Sequence, residues 1–166
     1  MATVKFKGNE IQTLGSLPAV GSQSPDFKVV GADLSEKSLS DFQGKTIILN
    51  IFPSIDTSVC ATSVRAFNEA AASLPNIAVL CISMDLPFAM SRFCGAENIK
   101  NVITASDFRY SNIAQNYGVR MQNGPLAGLL ARSVVVIDGS GKVKYTELVA
   151  DISQEPNYPA ALSATK

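Results

Sequence analysis

Cysteine is the side chain best suited to covalent chemistry in this sequence, which contains three cysteines and no histidine. Without histidine there can be no Ser-His-Asp triad, no Cys-His pair and no His-ligated metal site. Cys60, Cys81 and Cys94 are too far apart along the chain to form a C-x-x-C pair, which argues against both a thioredoxin-type dithiol and a zinc knuckle. We therefore expect any cysteine chemistry here to be reactive rather than structural.

Cys60 lies in the first turn of the strongest helical pattern in the sequence. Val64, Phe67, Ala71 and Leu74 form an apolar stripe at helical spacing, and Cys60 is one turn before Val64, so its side chain should face the sheet. At this end of a helix, unpaired backbone N–H groups and the helix dipole favour the nucleophilic thiolate over the thiol. The alternative is that Cys60 is a small buried hydrophobic residue, and spacing alone does not decide between the two.

Two residues just before Cys60 could support a reactive sulfur. Thr57 is three residues earlier and should place its hydroxyl on the same face, within reach of the sulfur. Pro53 has no N–H donor and a fixed φ, so it can shape a loop that shields the thiol.

The other two cysteines are predicted to lie in less activating places. We place Cys94 at the last position of a helix over 86–94, just before Gly95, where the helix dipole disfavours thiolate. Such a thiol suits attack on a sulfur that is already oxidised, and Arg92 could partly offset the dipole; the alternative is a thiol with no role. Cys81 lies inside a buried strand and is most simply part of the core.

The elements that must position these cysteines alternate between strands and helices. A hairpin comes first, then strands and helices in turn, then a second hairpin and a final helix, which together predict a three-layer α/β sandwich with a mixed central sheet. No linker divides the chain, so we expect a single domain over 1–166. The predicted strands are 3–7, 10–14, 27–31, 45–52, 76–83, 101–105, 133–138 and 142–149. The first predicted helix carries the stripe from Val64 to Leu74, has Asp56, Thr57 and Ser58 as candidate N-caps ahead of it, and is stopped by Pro75. The other predicted helices are 86–94, capped by Asp85 with Gly95 at its C′ position, 110–117 and 157–165.

Composition excludes several classes of partner. Lys and Arg balance Asp and Glu at 14 each, so there is no broad electrostatic attraction to nucleic acid or to an anionic membrane. No apolar run is long enough for a membrane span, and the N-terminal residues lack the apolar region of a secretory signal. The Gly-Lys-Thr at 44–46 precedes a strand rather than a helix and therefore does not predict a nucleotide site.

The segment over 53–60 has the form P-x-x-x-T-x-x-C and matches the active-site motif of the peroxiredoxins. Together with Ser-Arg-Phe-Cys-Gly-Ala-Glu at 91–97, it resembles the atypical 2-Cys peroxiredoxins of the bacterial thiol peroxidase type. The resemblance extends over the whole chain, including the N-terminal hairpin and the segments 124–126 and 131–138. It implies a thioredoxin-like fold, which agrees with the order of elements above.

The resemblance also implies a role for each matching residue. Cys60 would be the peroxidatic thiolate, Thr57 a hydrogen-bond partner of the sulfur and the peroxide, and Pro53 a shield against solvent. Arg132 would match the arginine that lies beside the thiolate in this family, a placement that spacing could not supply. Cys94 would be the resolving cysteine and would form an intrachain disulfide with Cys60. Cys81 matches a position without a catalytic role.

The implied activity is the reduction of hydrogen peroxide and alkyl hydroperoxides, with thioredoxin as the reductant and no metal, flavin or haem. Because this mechanism needs a reducing partner and the sequence shows no secretory signal, we expect a cytoplasmic protein. The family usually forms homodimers, and Phe88, Leu126, Leu129 and Leu130 could supply an apolar patch, although each could equally belong to the core. Two alternatives remain open. A thiol-based peroxide sensor or relay would use the same first step, and a thioredoxin-fold binding module would carry its cysteines by coincidence.

Overall fold

A seven-stranded mixed sheet forms the centre of the computed structural model, which describes residues 1–166. The strand order is β4-β3-β7-β6-β5-β8-β9, and β1 and β2 form a separate two-stranded hairpin. The strands are β1 Thr3–Phe6, β2 Asn9–Gln12, β3 Lys28–Gly31, β4 Glu36–Ser38, β5 Thr46–Ile51, β6 Ile77–Ser83, β7 Ile103–Ser106, β8 Ser133–Ile137 and β9 Val143–Leu148. The helices are α1 Ser58–Ala71, α2 Pro87–Glu97, α3 Asn112–Asn116 and α4 Tyr158–Ser163, with a 3₁₀ turn over Leu39–Phe42.

Helices cover both faces of this sheet, and the alternation of side chains along β5 shows why. Ile47, Leu49 and Ile51 enter the core that contains α3, whereas Ile48 enters the core that contains α1, α2 and α4. An apolar strand with no polar face can be stable only when both of its faces are covered. The predicted three-layer α/β sandwich with a mixed sheet is therefore confirmed.

The sheet register brings three loops to one edge. β5 runs parallel to β6, so the segments that follow both strands emerge at the same edge. β8 runs antiparallel to β5 and pairs Ser133 with Ile51, which places the beginning of β8 beside the end of β5. The residue before Ser133 thus lies next to the loop that leads into α1.

The N-terminal hairpin packs through a small core of its own. Val4 and Ile11 are buried together with Met121, Ala131 and Ile152, apart from the two main cores. The hairpin was predicted, but its turn is formed by Lys7 and Gly8 rather than by residues 8 and 9. Both turn residues have positive φ, as a two-residue turn of this twist requires, and glycine adopts such a φ without strain.

The ends of α2 differ from the prediction. The helix continues past Gly95 to Glu97, and Asn98 takes the left-handed conformation at its C-terminus, with φ of 54°. Asn tolerates this conformation because its short polar side chain can bond locally, so Gly95 is not needed there. The N-cap residue is Leu86 rather than Asp85. Two short elements, β4 and the 3₁₀ turn, were not predicted because they carry too few apolar residues to show a period.

None of the four helices combines the length and the apolar character that crossing a membrane would require.

Candidate functional site

Cys60 is the third residue of α1, and its side chain is completely buried between this helix and the sheet. Phe52 and Val64 belong to the same core cluster, so the sulfur faces the sheet as the apolar stripe predicted. The first backbone hydrogen bond of the helix is donated by the N–H of Ala61 to the carbonyl of Thr57. The N–H groups of the three preceding residues, including that of Cys60, are therefore free to bind an acceptor beside the sulfur.

The guanidinium of Arg132 contacts the sulfur of Cys60. Nη2 of Arg132 lies 3.3 Å from Sγ, and Nε donates a hydrogen bond of 3.0 Å to the carbonyl of Ile152. The Arg132 side chain is buried, no carboxylate forms an ion pair with it, and Nη1 has no hydrogen-bond partner. A buried cation without a carboxylate stabilises negative charge on the atom it does touch, which here is the Cys60 sulfur.

Thr57 and Pro53 both lie in the loop between β5 and α1 that leads to Cys60. Thr57 is the N-cap residue of α1, and its hydroxyl donates to the carbonyl of Ser54 at 3.1 Å rather than to the sulfur. A hydroxyl that has donated its proton can still accept a hydrogen bond. Pro53 is buried at the start of the same loop. The roles predicted for Thr57 and Pro53 toward a peroxide stay predictions.

Asp85 holds this loop in place, a role that sequence analysis missed when it assigned Asp85 as the cap of α2. Its carboxylate accepts hydrogen bonds from the Ser54 hydroxyl at 2.8 Å, the Ile55 N–H at 2.7 Å and the Ser83 hydroxyl at 2.6 Å. The position of Asp85 in the sequence could have indicated this role. Asp85 follows β6 at the edge of the sheet where the loop after β5 also emerges.

Cys94 is half-buried in the last part of α2 and faces away from Cys60 and Arg132. Its sulfur lies 3.4 Å from the Thr104 hydroxyl on β7, whereas Cys60 contacts the arginine that precedes β8. β6 and β5 lie between those two strands, and all three cysteines are free thiols. The structure thus brings Cys60 and Arg132 together but does not bring Cys94 to Cys60.

Arg92 does not act on Cys94, contrary to what its position two residues earlier suggested. Its Nη2 forms an ion pair with Asp56 at 2.6 Å, which ties α2 to the loop before α1. A second exposed pair, Arg65 with Glu97 at 3.1 Å, joins α1 to the other end of α2. Both pairs are solvent-exposed and so contribute little to stability.

Cys81 lies under the same helices but outside the site. It is completely buried on β6, and Nδ2 of Asn50 is 3.6 Å from its sulfur. Burial raises the pKa of the Cys81 thiol to about 12, so this cysteine stays protonated and unreactive. The prediction that Cys81 belongs to the core agrees with this environment.

The site is rich in hydrogen-bond donors rather than in metal ligands. No group of three or more Cys, Asp or Glu side chains in the chain is arranged to hold a metal ion. The free N–H groups of α1 and the guanidinium of Arg132 point instead to an anionic sulfur and a small polar reactant. Such a site suits nucleophilic attack by a thiolate on a compound whose leaving atom gains negative charge.

An exposed apolar patch adjoins the same edge of the sheet. Phe88 is 68% exposed and lines a shallow groove with Leu86 and Phe108, from the loops that follow β6 and β7. The structure corrects part of the predicted patch: Leu130 is completely buried in the main core. Leu126 and Leu129 are partly buried against the small core under the N-terminal hairpin.

Comparison with known proteins relates this chain to redox enzymes. The Redoxin family model matches residues 19–162. A thiol peroxidase of Corynebacterium glutamicum is 58% identical over 164 residues, covering 99% of each chain. A thiol peroxidase of Mycobacterium tuberculosis is 57% identical, covering 99% of this chain and 98% of its own.

Solved structures show the same fold. A peroxiredoxin-like protein from Aquifex aeolicus superposes with a TM-score of 0.94 at 42% identity, covering 99% of this chain and 96% of its own. A thiol peroxidase from Chromobacterium violaceum gives a TM-score of 0.89 at 20% identity, covering 97% and 93%. The thioredoxin-like, peroxiredoxin type of fold expected from the sequence is confirmed.

Proposed function

The chain belongs to the redoxin family and is a peroxidase, and from this premise we propose that it reduces hydrogen peroxide and organic hydroperoxides through Cys60. The observation that carries the proposal is the contact between Nη2 of Arg132 and the sulfur of Cys60. A buried cysteine at a helix N-terminus whose sulfur accepts a hydrogen bond from a buried arginine is set up to react as a thiolate.

In the first step, the Cys60 thiolate attacks one oxygen of the peroxide and the O–O bond breaks. The sulfur is oxidised by two electrons to sulfenic acid, and the second oxygen leaves as hydroxide or alkoxide and takes up a proton. Negative charge spreads over both oxygens in the transition state. Nη1 of Arg132 and the N–H of Cys60 have no acceptor in this structure and supply donors for that charge.

Thr57 and Pro53 complete the proposed site. With its proton donated to Ser54, the Thr57 hydroxyl offers lone pairs to the hydrogen of the incoming hydroperoxide. Pro53 excludes water from the sulfur and leaves no competing N–H donor. Orientation matters here because groups that stabilise a thiolate also make it a weaker nucleophile.

In the second step, the Cys94 thiolate attacks the sulfur of the Cys60 sulfenic acid, hydroxide leaves and takes up a proton to form water, and an intrachain disulfide forms. Disulfide geometry requires Cα atoms within about 7 Å, whereas Cys94 now lies against Thr104. We infer that the first turn of α1 and the last turn of α2 unwind to let the sulfurs meet. Closing the loop restricts the unfolded chain by roughly 3–4 kcal/mol in the entropy model, which offsets part of that cost.

The disulfide must then be reduced by an external dithiol, because the third cysteine is buried and protonated. We propose thioredoxin as the reductant, which exchanges its own dithiol for the Cys60–Cys94 disulfide. The cytoplasmic location expected from the sequence stays a prediction. We also propose a homodimer formed through the apolar patch around Phe88.

Peptide mapping by mass spectrometry tests the disulfide step directly. After one equivalent of hydrogen peroxide, the wild type should yield a single cross-linked peptide that joins Cys60 to Cys94, with Cys81 free. Cys94→Ser provides the matched control and should stop at Cys60 sulfenic acid. A product that joins Cys60 to Cys81, or a disulfide between two chains, would refute the proposed pairing.

A further inference from the structure

The orientation of the Arg132 guanidinium depends on a single backbone carbonyl. Nε donates to the carbonyl of Ile152 at 3.0 Å, and Nη2 on the same edge of the planar group lies 3.3 Å from the Cys60 sulfur. Two contacts along one edge fix the plane of a guanidinium. No carboxylate helps to hold Arg132, so the position of the Ile152 carbonyl decides where the charge lies.

The segment that carries this carbonyl is attached to the N-terminal hairpin. The N–H of Lys5 on β1 donates to the carbonyl of Ala150 at 2.7 Å, and the N–H of Ile152 donates to the carbonyl of Lys5 at 2.9 Å. Lys5 therefore holds this segment from both sides in a short parallel bridge. A continuous path of hydrogen bonds runs from β1 through Ile152 and Arg132 to the Cys60 sulfur.

The small core under the hairpin reinforces the same connection. Val4 and Ile11 of the hairpin are buried against Ala131 and Ile152, with Met121 as the fifth member. Ala131 precedes Arg132 in the chain, and Ile152 accepts its Nε hydrogen bond. The hairpin thus packs on Ala131, which positions the backbone of Arg132, and on Ile152, whose carbonyl holds the guanidinium.

We propose that the N-terminal hairpin is a positioning element for Arg132, with Val4 as the positioning residue whose packing keeps the Ile152 carbonyl in place. The inference rests on the proposed function, since it assumes that Arg132 promotes the attack by Cys60 on peroxide. It assigns a role in the reaction to a hairpin that contributes no residue to the site. Loosening the small core lets the guanidinium move away from the sulfur without changing any group that touches the reactant.

Val4→Ala tests this proposal, with Val143→Ala as the matched control. Both valines are buried and both variants lose the same atoms. Val143 differs in that it packs in the main core and pairs with Ile137, at the end of β8 opposite to Arg132. The first reaction with hydrogen peroxide, followed by stopped flow under single-turnover conditions, should slow about tenfold in Val4→Ala and stay unchanged in Val143→Ala. Equal rates in the two variants would overturn the proposal.

An Arg132→Met background separates positioning of the arginine from a general loss of structure. If Val4 acts through Arg132, adding Val4→Ala to Arg132→Met should cause no further loss of rate. A further tenfold loss in that background would show that the hairpin acts by another route and would refute the inference. Should Val4→Ala fail to fold, Ile11→Val repeats the comparison with a smaller cavity. Failure of the wild type to react at Cys60 would instead refute the proposed function, and the two failures are thus distinguishable.

Discussion

Nη2 of Arg132 lies 3.3 Å from Sγ of Cys60, although the two residues are 72 positions apart in the sequence. Cys60 comes from the first turn of α1 and Arg132 from the residue before β8, and the antiparallel pairing of β5 with β8 brings them together. The cation is buried and has no carboxylate partner, so its charge is available to the sulfur. The proposed reaction of Cys60 depends on this contact.

Replacing Arg132 with methionine should slow the reaction of Cys60 with hydrogen peroxide by about 10- to 150-fold. This range corresponds to losing one hydrogen bond to a charged group, worth about 1.5–3 kcal/mol. Single-turnover stopped flow measures the rate. Arg65→Met is the control, because Arg65 is an exposed residue of α1 that pairs with Glu97. Equal rates for Arg132→Met and Arg65→Met would contradict the role given to the contact.

The local surroundings of Cys60 were predictable from the sequence because they depend on helical periodicity. The stripe through Val64 and Phe67 determines which way Cys60 faces, and the apolar runs that became β5 and β6 are too strongly apolar for an exposed strand. Arg132 was not predictable from spacing, because its position follows from the pairing of Ser133 with Ile51 in the sheet. Only the resemblance to a known family placed it in the site.

Backbone groups and loop carboxylates escaped the sequence analysis for a physical reason. The carbonyl of Ile152 orients Arg132, but a backbone carbonyl is present in every residue and leaves no sequence signal. Asp85 is of a residue type that often caps helices, and its position before α2 suggested that role. Its carboxylate instead accepts hydrogen bonds from Ser54 and Ile55 in the loop after β5. The end of α2 was misplaced because Asn98, not Gly95, takes the left-handed conformation.

Disulfide formation should expose the two helix ends that carry the cysteines. Hydrogen–deuterium exchange should be faster in the oxidised protein than in the reduced protein for amides over 61–64, whose hydrogen bonds begin with Ala61 N–H to Thr57 in the first turn of α1, and for amides over 94–99. Since β6 does not need to move, its amides over Ile77–Ser83 provide the internal control. Equal protection of the two helix ends in both redox states would show that the sulfurs meet without local unwinding.

The Asp107 carboxyl should make stability depend on pH between about 4 and 7. Burial raises its pKa from 3.8 to about 6, although the N–H groups of Ile113 and Ala114 donate to it. A carboxyl with a raised pKa binds more protons in the folded state, so the free energy of unfolding falls as pH rises through this range, by at most about 3 kcal/mol.

Chemical denaturation of the wild type and Asp107→Asn at several pH values isolates this contribution, since the asparagine does not titrate. The stability advantage of the wild type over the variant should shrink as pH rises from 4 to 7. An advantage that grows over the same range would mean that folding favours the carboxylate and that the two backbone hydrogen bonds outweigh burial.

Phe88→Glu should convert the proposed homodimer to a monomer, because it places a charge in the middle of the exposed apolar patch. Sedimentation velocity measures the change in mass. Val20→Glu is a suitable control, since Val20 is 61% exposed and lies outside that patch. A wild type that is monomeric at all concentrations, or a Phe88→Glu variant that remains dimeric, would rule out this interface.

The most direct test of the account is stopped-flow peroxide reduction with thioredoxin, thioredoxin reductase and NADPH, comparing the wild type with Cys60→Ser, Cys94→Ser and Cys81→Ser. We predict that Cys60→Ser is inactive, that Cys94→Ser consumes one equivalent of peroxide and then stops, and that Cys81→Ser turns over like the wild type. Retained activity in Cys60→Ser would contradict the assignment of Cys60 as the nucleophile, and continued turnover by Cys94→Ser would contradict the two-cysteine mechanism.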